Sequence, residues 1–134
     1  MSTSKTGSVV EREIIALERA ALLRWGRGDP GGYLELCAPD VVYFDPFTAR
    51  RIDGLDALRA YYEGIRGQIA IERDELLDAH VQLLGSDLAV LTFTYVSYGS
   101  EGRMRWYCTE AFRRDESVFR LIHTHWSLPK DQGS

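Results

Sequence analysis

The sequence predicts an α+β fold in which helices pack on one face of a curved, mostly antiparallel sheet. Two observations predict it. Up to about residue 65, apolar residues recur at steps of three and four, which is typical of amphipathic helices. From residue 69 onward, β-branched and aromatic segments alternate with turns rich in glycine, serine and aspartate. The expected order is therefore helix, helix, strand, helix and then four strands.

The first helix is predicted from about residue 9 to residue 27, where the breaker sequence GRGDPGG ends it. Its apolar face consists of Val10, Ile14, Leu17, Ala21 and Trp25. Its opposite, solvent-facing side is expected to carry Glu11, Arg12, Glu18 and Arg19. The helix is thus predicted to cover the sheet with one apolar stripe.

A short second helix is predicted through Tyr33, Leu36 and Cys37, followed by a strand that begins at Val41. Asp53 is predicted to cap a third helix that starts near Leu55. The buried face of that helix is predicted to contain Leu55, Leu58, Tyr62 and Ile65. Tyr62 therefore points inward, where its hydroxyl needs a hydrogen-bond partner.

Four antiparallel strands in a meander are predicted from the segments IAIERDELLDAHVQLL, LAVLTFTYVSY, RMRWYCTEAF and VFRLIHTHWSL. In the second segment Phe93 and Tyr95 are on one face and Val90 and Val96 on the other. A sheet that is apolar on both faces needs two covers. The helices supply one cover, and a homodimer formed through the outer sheet face is predicted to supply the other.

The composition is typical of one globular domain, predicted over 9–128, with a disordered polar lead-in at 1–8 and a short tail at 129–134. A net charge of -4 and scattered arginines argue against a nucleic-acid partner. No apolar run reaches the roughly 20 residues of a membrane span, and no secretory signal is evident, so a cytoplasmic location is expected. Cys37 and Cys108 are far apart and are expected to be reduced thiols.

Two carboxylates occur in apolar surroundings. Asp45, in VVYFDPF, either caps a turn before Pro46 or acts as a base in an apolar pocket. Glu110 shares a strand face with Trp106 and Cys108, and it is either ion-paired or functional. Two acids facing one pocket in different environments would form an acid/base pair.

The motif HTHWS places His123 and His125 on the same side of a strand, which is compatible with metal chelation by a pair of imidazoles. Asp45 or Glu110 would be the third ligand of such a site. No metal ligand is predicted, because the resemblance described below implies a structural position for these histidines on the outer face of the sheet. Glycine-rich phosphate or dinucleotide motifs and a nucleophile elbow are absent from the sequence, so no cofactor is expected. Trp25 and Trp126 are interpreted as core and pocket wall.

The chain resembles the nuclear transport factor 2-like superfamily, and within it the SnoaL-like group, which is similar to ketosteroid isomerase and to the calcium/calmodulin-dependent protein kinase association domain. The resemblance rests on RWGRGDPGGYLELCAPDVVYFDP at 24–46, IDGLDALRAYYEG at 52–64, CTEAFRR at 108–114 and LIHTHWS at 121–127. It implies a cystatin-like cone, with three N-terminal helices packed on the curved sheet around a conical pocket. It also implies dimerisation through the outer sheet face, where it places the two histidines.

The resemblance further implies roles for single residues. Asp45 matches the general base of the isomerase, Glu110 matches an acid of its oxyanion hole, and Tyr62 matches a supporting phenol. Ala21 stands where the isomerase has its donor tyrosine. The pocket is expected to be lined by Trp25, Tyr43, Tyr62, Trp106, Thr124 and Trp126.

The predicted function is that of a cofactor-free isomerase, cyclase or hydratase that performs acid/base chemistry on an apolar small molecule. The alternative is a non-catalytic ligand-binding or oligomerisation module, which Ala21 and the similarity of the His-x-His motif to the kinase association domain favour.

Overall fold

The structure is a computed structural model that describes residues 3–133 as three helices and one six-stranded sheet. The helices are α1 (Thr3–Trp25), α2 (Gly31–Leu36) and α3 (Leu55–Glu63). The strands are β1 (Cys37–Phe44), β2 (Ile52–Asp53), β3 (Arg73–Leu84), β4 (Leu88–Gly99), β5 (Gly102–Asp115) and β6 (Val118–Ser127). The predicted α+β class is confirmed.

The sheet has the strand order β2-β1-β6-β5-β4-β3. Strands β3 to β6 form the predicted antiparallel meander, and β1 pairs parallel to β6, which closes the sheet toward the N-terminal half of the chain. Register shifts at Leu77/His80 and at Ala111/Phe112 mark bulges. Bulges bend a strand and increase its twist, so they help the sheet to curve around the helices.

The first helix is longer than predicted, because α1 begins at Thr3 and includes residues 3–8 of the expected lead-in, while residues 1 and 2 lie outside the described part. The predicted order helix, helix, strand, helix is confirmed, with the short strand β2 added before α3. A run of small and polar residues does not by itself prevent a helix from extending toward its N-terminus.

The prediction that Asp53 caps α3 is wrong. Gly54 occupies the N-cap with φ of 90°, a backbone conformation that glycine adopts readily. The Asp53 carboxylate instead accepts a hydrogen bond of 2.6 Å from Arg51. Residues 52 and 53 are drawn into the two-residue strand β2 beside β1, which the sequence pattern did not indicate.

The solvent-facing side of α1 also needs a correction, because Glu18 is fully buried. Position 18 lies four residues after Ile14 and four before Leu22, and both of these are in the core. Residues four apart share a helix face. The helical spacing therefore placed Glu18 in the buried stripe, and only its residue type suggested solvent.

The helices cover the inner face of the sheet, and the main core lies between them. None of the helices within residues 3–133 is long and apolar enough to cross a membrane.

Candidate functional site

A cavity of about 420 Å³ opens between the helices, the end of β1 and the β4–β5 hairpin. Its aromatic wall includes Trp25, Tyr33, Tyr43, Tyr62, Trp106 and Trp126. Several of these rings meet edge to face, for example Trp106 and Trp126 at 86° with their centroids 6.3 Å apart. A mostly apolar cavity of this size suits a small organic molecule.

Five of the six predicted pocket residues line this cavity. They are Trp25, Tyr43, Tyr62, Trp106 and Trp126. Thr124 does not line it, because this side chain lies behind the wall and is buried. Of the two predicted catalytic carboxylates, Asp45 lines the cavity and Glu110 lies behind the wall with Thr124. The two acids therefore do not face one common pocket.

Asp45 uses its two oxygens differently. Its Oδ1 accepts hydrogen bonds from the backbone N–H of Phe47 at 2.7 Å and of Thr48 at 3.0 Å, which closes the turn after β1. Its Oδ2 accepts from the hydroxyls of Tyr43 at 2.7 Å and Tyr61 at 2.6 Å. Asp45 thus caps a turn, as one of the two sequence alternatives predicted, and also presents a carboxylate at the cavity wall.

The two phenols around Asp45 stay protonated. Burial is the main cause that raises the pKa of Tyr43, and the neighbouring Tyr62 and Asp45 add to the effect. Burial and the hydrogen bond to Asp45 also raise the pKa of Tyr61. Sequence reasoning missed Tyr61, although its position three residues after Leu58 and four before Ile65 places it beside the buried face of α3.

Behind the wall, Glu18 of α1 and Glu110 of β5 form a buried acid pair. Both side chains are fully buried, and they lie close enough for the charge of Glu110 to raise the pKa of Glu18. With both groups ionised, the Oε1 atom of each has no hydrogen-bond donor among the described residues. Carboxylates can only accept, so a hydrogen bond between the two groups requires a proton on one of them.

Glu18 is the member of the pair whose pKa is raised more. Burial raises its pKa well above the usual range, and the charge of Glu110 raises it further. Burial also raises the pKa of Glu110, but hydrogen bonds from Glu18, Thr124 and Cys108 offset part of that effect. Donors therefore converge on Glu110, which makes it the carboxylate of the pair.

Hydrogen bonds connect the buried acid pair to the cavity wall on two sides. The Tyr33 hydroxyl donates to Glu18 Oε2. On the other side, Trp126 Nε1–H donates to Thr124 Oγ1 at 3.0 Å, and Thr124 donates to Glu110 Oε2 at 2.8 Å. Since the rings of Tyr33 and Trp126 line the cavity, the pair supports the wall and lies directly behind it.

The histidines of the HTHWS motif lie on the other face of the sheet. His125 is exposed and stacks on Phe44 with ring centroids 4.9 Å apart, and the centroids of His123 and His125 are 6.4 Å apart. Within the described residues, no group of three or more His, Cys, Asp or Glu side chains is arranged to hold a metal ion. Cys37 and Cys108 are both buried free thiols, and burial raises the pKa of Cys37 to about 12.

Comparison with known proteins places this architecture in a family. The family model of the SnoaL-like domain matches residues 19–121. The chain belongs to the SnoaL-like family. It is 38% identical to a candidate ketosteroid isomerase from Parabacteroides distasonis, with a TM-score of 0.80, covering 90% of this chain and 88% of that one. This is the family that the sequence motifs predicted.

Two further relatives bear on the fold. The association domain of the calcium/calmodulin-dependent kinase II of C. elegans has a TM-score of 0.75 at 18% identity, covering 90% of this chain and 96% of that chain. The alpha chain of the Drosophila melanogaster calcium/calmodulin-dependent protein kinase type II is 23% identical over 95% of this chain. This chain spans 25% of the length of that kinase. At these identities the similarity establishes the fold.

Proposed function

We propose that this SnoaL-like protein binds an apolar small molecule in the aromatic cavity and performs acid/base chemistry on it without a cofactor. The observation that carries the proposal is the position of Asp45, whose Oδ2 lies at the cavity wall between two phenols. A carboxylate fixed in an apolar cavity suits proton abstraction next to a carbonyl group or activation of a water molecule. Isomerisation, cyclisation and hydration all need such a base.

Asp45 acts as the base through Oδ2 in this proposal. Its Oδ1 remains bound to the two backbone amides, which hold the carboxylate in position. A substrate reaches Oδ2 by displacing the hydroxyl of Tyr61, which is the less buried of the two phenols. Tyr43 then continues to donate and fixes the orientation of the carboxylate.

Glu110 takes the role of an electrostatic partner that does not touch the ligand. Thr124 and Trp126 stand between it and the cavity, so its charge acts on the ligand through the wall. The similarity to a candidate ketosteroid isomerase supports chemistry of this class and does not name the substrate.

The test measures exchange of carbon-bound protons for deuterium in a panel of cyclic ketones by NMR in D₂O. We expect the wild-type protein to speed up exchange next to the carbonyl of at least one ketone, and Asp45→Asn to lose most of this acceleration. Asp56→Asn is the matched control, since Asp56 is exposed on α3 away from the cavity. If no ketone of the panel exchanges faster with the protein than without it, or if the Asp45→Asn variant is as active as the wild type, the base assignment is contradicted.

A second proposed function, assembly, rests on the outer face of the sheet. The strand register places Phe44, His125, Thr109, Thr92 and His80 in one row across this face. The neighbouring row contains Ser127, Tyr107, Thr94 and Leu77, and in it Tyr107 and Leu77 are 48% and 40% exposed. Exposed apolar and aromatic groups on one face favour a protein interface, and a homodimer would cover them.

Light scattering at micromolar concentration tests the homodimer. We expect a mass twice the 15.2 kDa of the chain. Tyr107→Glu introduces a charge on the outer face and is expected to shift the equilibrium toward monomer. Leu23→Glu, an equally exposed position on α1, serves as the control and leaves the mass unchanged. A monomeric wild-type protein would contradict this assignment.

A further inference from the structure

The cavity contains a carboxylate that no protein cation neutralises. The Asp45 carboxylate accepts four hydrogen bonds, all from neutral phenols and backbone amides, and it forms no salt bridge within the described residues. Hydrogen bonds from neutral donors hold a carboxylate in place but do not change its net charge. Part of the cavity wall therefore carries a negative charge without a counter-ion.

A second acidic group lies behind the wall. Burial and the charge of Glu110 raise the pKa of Glu18 more than burial raises that of Glu110, so Glu110 is the member of the buried acid pair that ionises first. Tyr33 donates to Glu18 and Thr124 donates to Glu110. The other neighbouring groups, whose pKa values the charge of the pair raises, are Cys37 of β1, Tyr62 of α3, Tyr95 of β4 and Cys108 of β5. All six are neutral. In a medium of low effective dielectric, the field of an unpaired charge extends further than it does in water.

The aromatic wall adds a third contribution of the same sign wherever a ring face is turned toward the ligand. The faces of tryptophan and tyrosine rings carry the negative side of an electric quadrupole. They attract a cation that lies within about 6 Å of the ring centroid, and they do so more strongly when the site is shielded from water. Trp25, Trp106 and Trp126 all line the cavity, together with Tyr43 and Tyr62.

Positive side chains are kept at the edge of the site. Arg103 is the arginine that lines the cavity mouth, and its Nη1 donates to the backbone carbonyl of Gln132 at 2.7 Å. Glu101 lies beside it at the same hairpin tip and also lines the mouth. The deep aromatic part and Asp45 are thus left with negative potential.

We propose that the ligand of this cavity is an organic cation, an ammonium or a similarly delocalised positive group carried on an apolar body. The positive group lies against Asp45 and the aromatic faces, and the apolar body fills the remainder of the 420 Å³ cavity. This inference rests on the proposed function, because it assigns a chemical class to the molecule that the cavity binds. The inference goes beyond the proposed function because it requires a positive charge on the ligand, which an entirely apolar pocket would exclude.

A pair of probes of nearly the same shape tests the charge. The cation is (3-hydroxyphenyl)trimethylammonium, and the neutral isostere is 3-tert-butylphenol. Isothermal titration calorimetry measures both affinities. Tryptophan fluorescence reports whether binding occurs in the cavity, because all three tryptophans of the chain line it. We expect the cation to bind at least about tenfold more tightly than its isostere, on the scale of a desolvated cation–π contact.

Substitutions that remove a carboxylate charge but keep the side-chain shape test whether charge determines the affinity. Asp45→Asn is expected to reduce the cation affinity about tenfold or more and to leave the affinity for 3-tert-butylphenol unchanged. Glu110→Gln, which removes the charge behind the wall, is expected to reduce the cation affinity by a smaller factor. Asp56→Asn is the control and should change neither affinity.

The outcomes distinguish the two proposals. If 3-tert-butylphenol binds as tightly as the cation, the cation proposal is overturned while the proposed apolar binding function stands. If neither probe binds and no fluorescence change occurs, both proposals fail. If the cation is preferred but Asp45→Asn retains the full preference, the preference does not come from this carboxylate and the inference is wrong.

Discussion

Asp45 and the buried acid pair tolerate their charges by different means. At Asp45, the carboxylate is satisfied by donors that lie mostly close in sequence, namely the amides of Phe47 and Thr48 and the hydroxyl of Tyr43. In the buried pair, Glu110 accepts a hydrogen bond from Thr124 of β6, and its acidic neighbour Glu18 of α1 is 92 positions away in the chain. A carboxylate with nearby hydrogen-bond donors can stay ionised. A buried carboxylate with few donors is instead stabilised when a neighbouring acid carries a proton.

The largest expected effect comes from removing one member of the buried pair. Glu110→Ala leaves Glu18 and Thr124 without their partner and opens a void in the core. We expect the free energy of unfolding in urea to fall by about 3 kcal/mol or more.

Glu72→Ala is the control, because Glu72 is exposed in the segment before β3, and it should unfold like the wild type. Glu110→Gln should lose much less stability than Glu110→Ala, since its amide retains a hydrogen bond to Glu18. If Glu110→Ala unfolds at the wild-type urea concentration, the pair is not a core element.

A smaller effect with a distinct pH signature is expected for Glu18→Gln. The pKa of Glu18 is raised in the folded protein above its ordinary 4.5, so the folded state binds more protons than the unfolded state above that pH. Stability from this group is therefore fully present below about pH 4.5 and is lost as the pH rises through the folded pKa.

Gln cannot ionise and keeps a donor toward Glu110, so Glu18→Gln should gain stability over the wild type as the pH rises. At neutral pH we expect a gain of about 1 to 2 kcal/mol, and near pH 4 we expect no gain. Urea unfolding across this pH range measures the difference between the two proteins. Glu11→Gln, at an exposed position on the same helix, is the control, and its free energy of unfolding should change with pH as that of the wild type does.

Asp45→Asn tests the locally satisfied carboxylate. The side-chain oxygen of asparagine still accepts from the amides of Phe47 and Thr48, but its NH₂ group faces the hydroxyls of Tyr43 and Tyr61. We expect thermal melting to show a loss of about 1 to 2 kcal/mol, because two hydrogen bonds to a charged acceptor are weakened. Unchanged or higher stability would mean that the two phenols contribute little to holding the carboxylate.

The smallest effect is expected for Tyr61→Phe. It removes one hydrogen bond to Asp45 from a half-buried phenol, so we expect a loss below about 1 kcal/mol. Tyr107→Phe, at an exposed position, is the matched control for melting. A loss as large as that of Asp45→Asn would show that Tyr61 alone holds the carboxylate.

Much of the fold was predictable because its signals are local. Alternation in the last 65 residues determined the meander, and spacing of three and four residues determined which face of α1 and of α3 is buried. The turn at Asp45 was also readable, since an aspartate that bonds amides two and three residues later needs no distant partner. The two-residue strand β2 was not readable, because it exists only where the chain passes beside β1.

The sequence by itself determined that an acid lies among aromatic side chains at position 45 and that Glu110 shares a strand face with apolar residues. Only the tertiary structure decided that these two acids do not meet. It paired Glu110 with Glu18, a residue whose type had suggested solvent, and it brought Tyr61 to Asp45. Local spacing fixes which face a side chain is on, but which groups share a proton depends on how α1 packs across β5, and that is a property of the assembled core.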